Sequence, residues 1–516
     1  MNRILLSLIT LLFFVNANSQ IEEDSTVIDT NQLVEELKGL VLDIDRQIAL
    51  PYANIYVLHK NKGVISNEKG HFSINIDDLD ISDTLRFQYI GYKTKNITIG
   101  ELDTFSIISL KEEIINLSEA LIFGSAPNAR SIVKKVLQYK DSNYRKINTK
   151  NQTFIRERST AKLDKITLDL KKSSITQLDE NMIKLVEEKI PRNTISYTDF
   201  LGNIYHSQNK EDSIALKIES IRSVSLKEKD IADLDRIEKV FEDVFTDINE
   251  DEYWKVKSGI FGQKIDDDEF DDPPKMDSIQ LDSIRKNNKT LHYLRYRVEN
   301  QLEFSLLDDK KQWEFLHSPG KYNYTLVGGA SVNGEEVYII DFTPRSGGNY
   351  IGRMYIALNT YALVRADYDY AEGKTGRDIH LLGIGYTENQ SSGSIYFIKK
   401  DDNYLLKYFS KKFGVNFSFD RSVALIKKRK RFLFDKKLNE IKVAFNISAN
   451  VEESIEYLVL DFKEISHEQF VDFEQKKSMQ IISVDKFDNE LWKGYPIIEP
   501  TQQMREYRKQ AVDFNY

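Results

Sequence analysis

Residues 38–110 carry the pattern that most restricts the fold, a series of short runs in which apolar residues occupy every second position. Three such runs lie at 53–57, 72–76 and 85–89. Period-two alternation is typical of half-buried strands. Turn-forming residues separate the runs, for example Asn61-Lys62-Gly63. Short strands at this spacing predict a small antiparallel β-sandwich.

The same stretch resembles a known family. It reads G-x-V-x-D at 39–43, P-Y-A-N-I-Y-V at 51–57, K-G-V-x-S-N-E-x-G-x-F-S-I at 62–74 and D-T-L-x-F-x-Y-I-G-Y-K-T at 83–94. This order resembles the carboxypeptidase-regulatory-like domain of Bacteroidota envelope proteins. The resemblance implies a transthyretin-like β-sandwich of about seven strands over residues 36–115. It implies no peptidase chemistry, because the family name records an accessory domain that is found beside some metallocarboxypeptidases, and the zinc ligands belong to a different domain.

The N-terminus predicts export. Arg3 provides a positive start, residues 4–15 form an apolar run, and Ala17-Asn18-Ser19 offers the small residues of a cleavage site. Residues 1–19 are therefore interpreted as a secretory signal peptide, and residues 20–35 as a flexible lead-in. No second long apolar run follows, so we expect no transmembrane segment after signal removal. The expected location is the periplasm, with association at the outer membrane as an option.

Composition excludes several kinds of site. The chain has no cysteine, which rules out disulfides, zinc thiolate sites, thiol nucleophiles and a lipid anchor on cysteine. Its 72 basic and 81 acidic residues give a net charge of -9. This mild acidity argues against a nucleic-acid partner.

Residues 125–465 predict a second, larger domain. The sequence N-G-E-E-V-Y-I-I-D-F-T-P at 333–344, followed by Y-I-G-R-M-Y-I-A-L-N-T-Y-A-L-V-R-A-D at 350–367, predicts a meander of antiparallel strands with a hairpin turn at Asn333-Gly334. This region resembles the lipoprotein-carrier-like part of barrel-bearing Bacteroidota envelope proteins. The resemblance implies a curved antiparallel half-barrel that wraps a helix. The expected fold class is therefore mainly β with α+β.

Two helices are predicted in this domain. One opens near Ser125 and Pro127 and has an ordinary apolar stripe. The other runs from Ser225 to Ile248, because Ser225 and Glu228 form a capping box and apolar residues recur at helical spacing after them. We expect the second helix to plug the curved sheet. Shorter strands are predicted at 152–159, at 166–174 and after residue 393, and a turn is predicted at Gly202-Asn203. Residues 466–516 are expected to form a C-terminal extension.

Two charged segments allow alternative interpretations. Residues 266–289 are rich in acids, but they lack the glycine and glutamate spacing of an EF-hand and are interpreted as a solvated loop. The basic cluster Lys427 to Arg431 could face anionic lipid headgroups. A protected edge strand or a solvated loop is the interpretation we favour from sequence.

No catalytic, cofactor-binding or metal-binding residue is predicted. Motifs for nucleophilic hydrolysis, zinc proteases and nucleotide binding are absent, and no two of the seven histidines have metal-ligand spacing. The leading hypothesis is therefore a non-enzymatic cell-envelope protein that binds an apolar ligand, such as a lipid, or an envelope partner. The alternative is an accessory or catalytic part of an envelope hydrolase that acts on peptide or glycan.

Overall fold

The computed structural model describes residues 36–113, 128–226, 249–264 and 294–507, with gaps at 61, 145–146, 209–213, 250, 260, 301, 303–304, 333–334, 433, 477–478, 493–494 and 496. The predicted signal peptide, the lead-in and the acidic loop 266–289 lie outside these residues. Among the described residues, no helix combines the length and the apolar character needed to cross a membrane.

The N-terminal domain is the sandwich that the alternation predicted, and it has the seven strands that the resemblance implied. The sandwich is not wholly antiparallel, however, because β1 and β7 pair in parallel. One sheet has the order β4-β1-β7 and the other has the order β3-β2-β5-β6. Alternate residues of both sheets meet in a single core, where Val41, Ile55 and Phe87 are completely buried. The strands are β1 (Glu36–Asp43), β2 (Asn54–Val57), β3 (Gly63–Ile65), β4 (His71–Asn75), β5 (Thr84–Gln88), β6 (Lys95–Thr98) and β7 (Phe105–Leu110).

The second domain is built on one large sheet of 14 strands. Its main path is β13-β14-β15-β16-β18-β19-β20-β8-β9-β10-β21, with β11, β12 and β17 attached beside it. Neighbours on this path pair antiparallel except for β10 and β21. The strands are β8 (Thr149–Ser173), β9 (Asn193–Gln208), β10 (Ile214–Leu226), β11 (Glu252–Ser258), β12 (Phe261–Lys264), β13 (Tyr322–Val332), β14 (Glu335–Pro344), β15 (Tyr350–Ala357), β16 (Leu363–Tyr370), β17 (Asp378–Leu381), β18 (Ile384–Lys400), β19 (Asn403–Arg429), β20 (Lys436–Glu464) and β21 (Ile482–Val484).

Helices are short and few in the described part of the chain. Helix α1 packs its buried residues Ile132, Val133 and Val136 into the main core of the large domain. Asn128 begins this helix by accepting a hydrogen bond from the backbone of Ser131. The helices are α1 (Ala129–Gln138), α2 (Lys140–Asn143), α3 (Glu180–Lys189), α4 (Glu314–His317), α5 (His467–Asp472) and α6 (Gln502–Arg505), and residues 294–300 are also helical.

The capping box predicted at Ser225 is wrong. Ser225 is buried in β10, where it pairs with Thr198 of β9 and Ser483 of β21. Backbone pairing on both sides overrides the local capping signal, since both neighbouring strands satisfy the backbone of Ser225. The rest of the predicted helix, residues 227–248, lies outside the described residues. Among the described helices, α1, α4 and the helical residues 294–300 contribute buried side chains to the core of the large sheet.

The long strands were also divided wrongly. The strands predicted at 152–159 and 166–174 are one strand, β8, and the turn predicted at Gly202-Asn203 lies inside β9. Beyond residue 393 the predicted short strands merge into β18, β19 and β20. Strands β8, β19 and β20 contain 25, 27 and 29 residues. At about 3.3 Å per residue, β20 can span roughly 95 Å.

Candidate functional site

Strand β20 defines two faces of the large sheet. Its odd-numbered residues from 441 to 459 point to one side, because successive side chains of a strand alternate. We call this side the inner face, since Ile455 and Tyr457 lie there in the same core as α1. The even-numbered residues point to the opposite, outer face. Each face changes character along the length of the strands.

The sheet has two parts along those strands. We call the part that contains β13 to β16, β9, β10 and residues 454–464 of β20 the body. We call the part formed by residues 159–173 of β8, 384–390 of β18, 413–429 of β19 and 436–453 of β20, together with β11, β12 and β17, the blade.

The inner face of the body is a closed apolar core. Residues paired directly across neighbouring strands form one continuous row, and α1, α4 and residues 294–300 contribute side chains to the same core. Phe315 of α4 stacks on Phe342 with ring centroids 4.3 Å apart. The row consists of Leu326, Ile340, Met354, Ala366, Ile395, Phe409, Tyr457, Ile155 and Phe200.

The inner face of the blade is also apolar, but it is less completely covered. Helix α3 packs there through Ile183. Phe417 and Phe445 belong to the same cluster but are only half-buried. The buried members of this cluster are Ile166, Leu168, Ile175, Leu178, Ile183, Trp254, Val256, Phe419, Val423, Ile441, Val443 and Ile447.

A charged belt separates the two apolar regions of the inner face. Glu157 and Lys411 both pair with Ile455, and Glu453 lies two residues further along β20. The Arg297 Nε atom lies 2.6 Å from Glu157 Oε1. Burial raises the pKa of Glu157 and lowers the pKa of Lys411. The belt therefore places partly desolvated charges of both signs at the body end of the apolar blade.

The outer face of the body carries a polar row that runs beside the apolar one. In each strand the polar residue is the immediate neighbour of an inner-face residue, so the two rows mirror each other through the sheet. The row consists of Thr325, Asp341, Arg353, Asp367, Ser394, Ser410, Glu456, Arg156 and Asp199.

The strongest interaction in this row is a buried ion pair. Arg156 donates two hydrogen bonds to Asp199, Nε to Oδ1 at 2.9 Å and Nη2 to Oδ2 at 2.7 Å. Its Nη1 atom donates a third to the carbonyl oxygen of Ile498 at 2.8 Å. Both side chains are almost completely buried. The bidentate geometry and the third bond compensate for burying the charges.

The sandwich and the C-terminal segment cover this polar row. Arg353 binds Asp341 within the sheet and donates to Glu112 Oε1 at 2.7 Å. The ring of Tyr52 lies 4.4 Å from that of Tyr408. Ile498 forms a parallel bridge with Ile65 of the sandwich. The outer face of the body is therefore an interface within the molecule.

One carboxylate at this junction is poorly compensated. The Oε1 atom of Glu456 is closed off from solvent and has no hydrogen-bond partner among the described residues. Burial raises the pKa of Glu456 to about 7, although Arg156 acts in the opposite direction. Glu456 therefore changes charge near neutral pH.

A family model matches the N-terminal part of the chain. Residues 37–122 match the model of the CarboxypepD_reg-like domain. The match begins in β1 and extends beyond the last strand of the sandwich, so the first resemblance seen in the sequence is confirmed. A search of curated proteins returned no match.

Solved structures also match the chain, but at low similarity. The complex of MucA and MucB from Pseudomonas aeruginosa matches at 10% identity and a TM-score of 0.18, over 62% of this chain and 94% of that one. A putative outer membrane lipoprotein-sorting protein domain from Vibrio parahaemolyticus matches at 9% identity and a TM-score of 0.16, over 66% of this chain and 97% of that one. A DUF1329 family protein from Desulfovibrio piger matches at 11% identity and a TM-score of 0.16, over 66% of this chain and 95% of that one.

Sequence reasoning named no site residue, and it missed both the belt and the polar row. Neither set is adjacent in sequence, since each is assembled by strand pairing. The described residues contain no group of three histidine, aspartate or glutamate side chains placed to hold a metal ion. The one local feature of the sequence that points to the polar row is Glu456, an acid directly beside the apolar Ile455 and Tyr457 in an alternating strand.

Proposed function

We propose that the protein is a non-enzymatic binding module of the bacterial cell envelope, and that it holds an amphipathic ligand with an apolar body on the inner face of the blade. The observation that supports this most is that nine apolar residues of the blade cluster, Phe417 and Phe445 among them, are only partly buried. Large apolar side chains left partly open along one face are typical of ligand-binding surfaces.

The chemistry of the neighbouring residues suggests how the ligand lies. An acyl chain fits along the strip from Ile441 to Ile447, because the side chains that it would contact there are apolar. The belt at Glu157, Arg297 and Lys411 offers charges at the end of that strip, where a polar headgroup would need partners. A lipid with its tail along the blade and its headgroup towards the body fits this arrangement. In the body, α1 and α4 already occupy the corresponding face.

The test is native mass spectrometry of the mature protein, purified without detergent, with lipid extraction as the second readout. We expect a bound lipid in the unmodified protein and its loss in Phe445→Glu, which places a charge in the strip. Ser448→Glu is the matched control, because Ser448 lies on the outer face of the same strand. A protein that carries no lipid and takes up no fluorescent fatty acid would contradict the proposal. Co-purification of a stoichiometric protein without lipid would favour an envelope partner instead.

A further inference from the structure

The hairpin that joins β19 to β20 ends in two exposed aromatic side chains. The last strand pair is Arg429 with Lys436, so residues 430–435 form the end of the blade. Phe432 and Phe434 are 101% and 87% exposed, and they are the most exposed large apolar side chains in the described part of the chain. Folding gains nothing from leaving two phenylalanines in water, which indicates that something else contacts them.

The residues around these rings are strongly basic. Residues 427–437 contain seven lysines and arginines and one acid, Asp435, which is a local charge of +6 in a chain of net charge -9. Lys427 and Arg429 are paired with Glu252, at 3.0 and 2.6 Å. Lys437 is paired with Glu440. Of the remaining cations, Lys430, Arg431 and Lys436 are exposed and Lys428 is half-buried.

The supporting strand keeps this end of the hairpin in place. Strand β11 pairs with β19 from Glu252↔Arg429 to Lys257↔Ala424. Glu252 is buried, and its hydrogen bond with Arg429 is the main reason why its pKa falls to about 2. The Tyr253 hydroxyl donates to Asp435 Oδ2 at 2.5 Å. Glu252 thus lies along the flank of the hairpin, and Asp435 at its end is bonded to the supporting strand.

We propose that the hairpin end formed by residues 427–432 and 434–437 is a membrane-docking tip, in which Phe432 and Phe434 enter the headgroup region of a bilayer and the surrounding cations bind anionic lipid. Aromatic side chains are well suited to the membrane interface, and lysine and arginine beside it are attracted by anionic headgroups. The charge of the tip is complementary to such a surface. The same charge would repel a cationic partner and would not attract a neutral one.

The length of the hairpin gives the geometry of docking. The pair Tyr408↔Leu458 in the body and the pair Arg429↔Lys436 at the tip are 21 positions apart along β19 and 22 along β20. This corresponds to at most about 70 Å. Docking by the tip would hold the body and the sandwich away from the bilayer. The inference does not depend on whether the blade also holds a lipid, because the tip and the apolar strip involve different residues.

The experiment is co-sedimentation of the full mature chain with vesicles of phosphatidylcholine alone, and with vesicles in which part of it is replaced by phosphatidylglycerol. We expect binding to the anionic vesicles that weakens as salt is raised. The double variant Phe432→Ser/Phe434→Ser should bind at least tenfold more weakly. So should Lys428→Gln/Lys430→Gln/Arg431→Gln at low salt. Ile81→Ser is the matched control, since Ile81 is 78% exposed in the sandwich.

The outcomes separate this proposal from the one above. Phe445→Glu should leave vesicle binding unchanged, whereas the tip variants should leave any co-purified lipid in place. Equal binding to neutral and anionic vesicles, or unchanged binding of the tip variants, would overturn the docking tip. So would a tip that binds an acidic protein but no vesicle of either composition.

Discussion

The body and the blade share strand β20, yet their apolar inner faces are covered to different extents. In the body, α1 and α4 cover the inner face, and the sandwich covers the polar row on the outer face. In the blade, α3 covers part of the inner face, and Phe417 and Phe445 stay half-buried. Strand alternation alone therefore does not decide whether an apolar face becomes core or surface. The elements that pack against it decide that.

The largest effect is expected from breaking the buried ion pair of the body. Arg156→Ala leaves Asp199 buried without its cation, which should reduce the free energy of unfolding by about 3–5 kcal/mol. The measurement is thermal or urea unfolding followed by tryptophan fluorescence. Arg158→Ala is the control, because Arg158 lies 3.9 Å from Glu452 in a partly exposed pair. The double variant Arg156→Met/Asp199→Leu should recover most of the loss, and a double variant as unstable as Arg156→Ala would contradict this account.

Two phenylalanines on the inner face compare body and blade directly. Phe409 is completely buried and stacks on Tyr457 with centroids 5.0 Å apart, whereas Phe445 is half-buried in the blade. Phe409→Ala should cost about 3–5 kcal/mol, as for buried aromatic residues in general. Phe445→Ala should cost roughly half as much, because less apolar surface is lost from contact. Urea unfolding of the two variants tests this, and equal losses would mean that the blade is as closed as the body.

A feature of the body or the blade could be predicted from the sequence where it depends on residues that lie close together in the chain. The sandwich and strands β13 to β16 were predicted closely, because alternation and turns of a few residues specify them. Strand β8 was split at residues 160–165, since the polar side chains there and a register shift between Ser448 and Ala449 of its partner disturb the alternation. Ser225 was misassigned because its strand partners lie far away in sequence.

The two segments beside the basic cluster show the same limit. Residues 424–426 and 432–434 are both short apolar runs in the sequence, and nothing local distinguishes them. Ala424 and Ile426 are buried because β11 and β20 pair with β19 on either side, whereas Phe432 lies beyond the last pair and is fully exposed. The favoured interpretation of the cluster as a protected edge or a loop therefore missed the exposed rings.

Glu456, on the outer face of the body, should make the stability of the folded protein depend on pH. Its pKa is raised from 4.5 to about 7 in the folded protein, mainly by burial. Between these values the folded protein holds a proton that the unfolded chain has released, so stability falls as pH rises from about 4.5 to 7 and is then constant. Glu456→Gln removes this effect, so its advantage over the unmodified protein should grow across that window. Melting temperatures measured across it, with the exposed Glu464→Gln as control, test the sign. If the difference in melting temperature between Glu456→Gln and the unmodified protein is the same at both ends of this pH window, ionisation of Glu456 is not its cause.

The smallest effect on stability is expected at the tip, and that is what makes the tip informative. Phe432 and Phe434 contribute almost no buried surface, so Phe432→Ser/Phe434→Ser should change the free energy of unfolding by less than about 0.5 kcal/mol. A residue in the core cannot be replaced so cheaply, as Phe409 should demonstrate. If the double variant melts like the unmodified protein, any loss of vesicle binding must come from the lost contact of the rings with the bilayer. If it melts several degrees lower, the rings are packed against the molecule, and the tip belongs with the closed surfaces of the body.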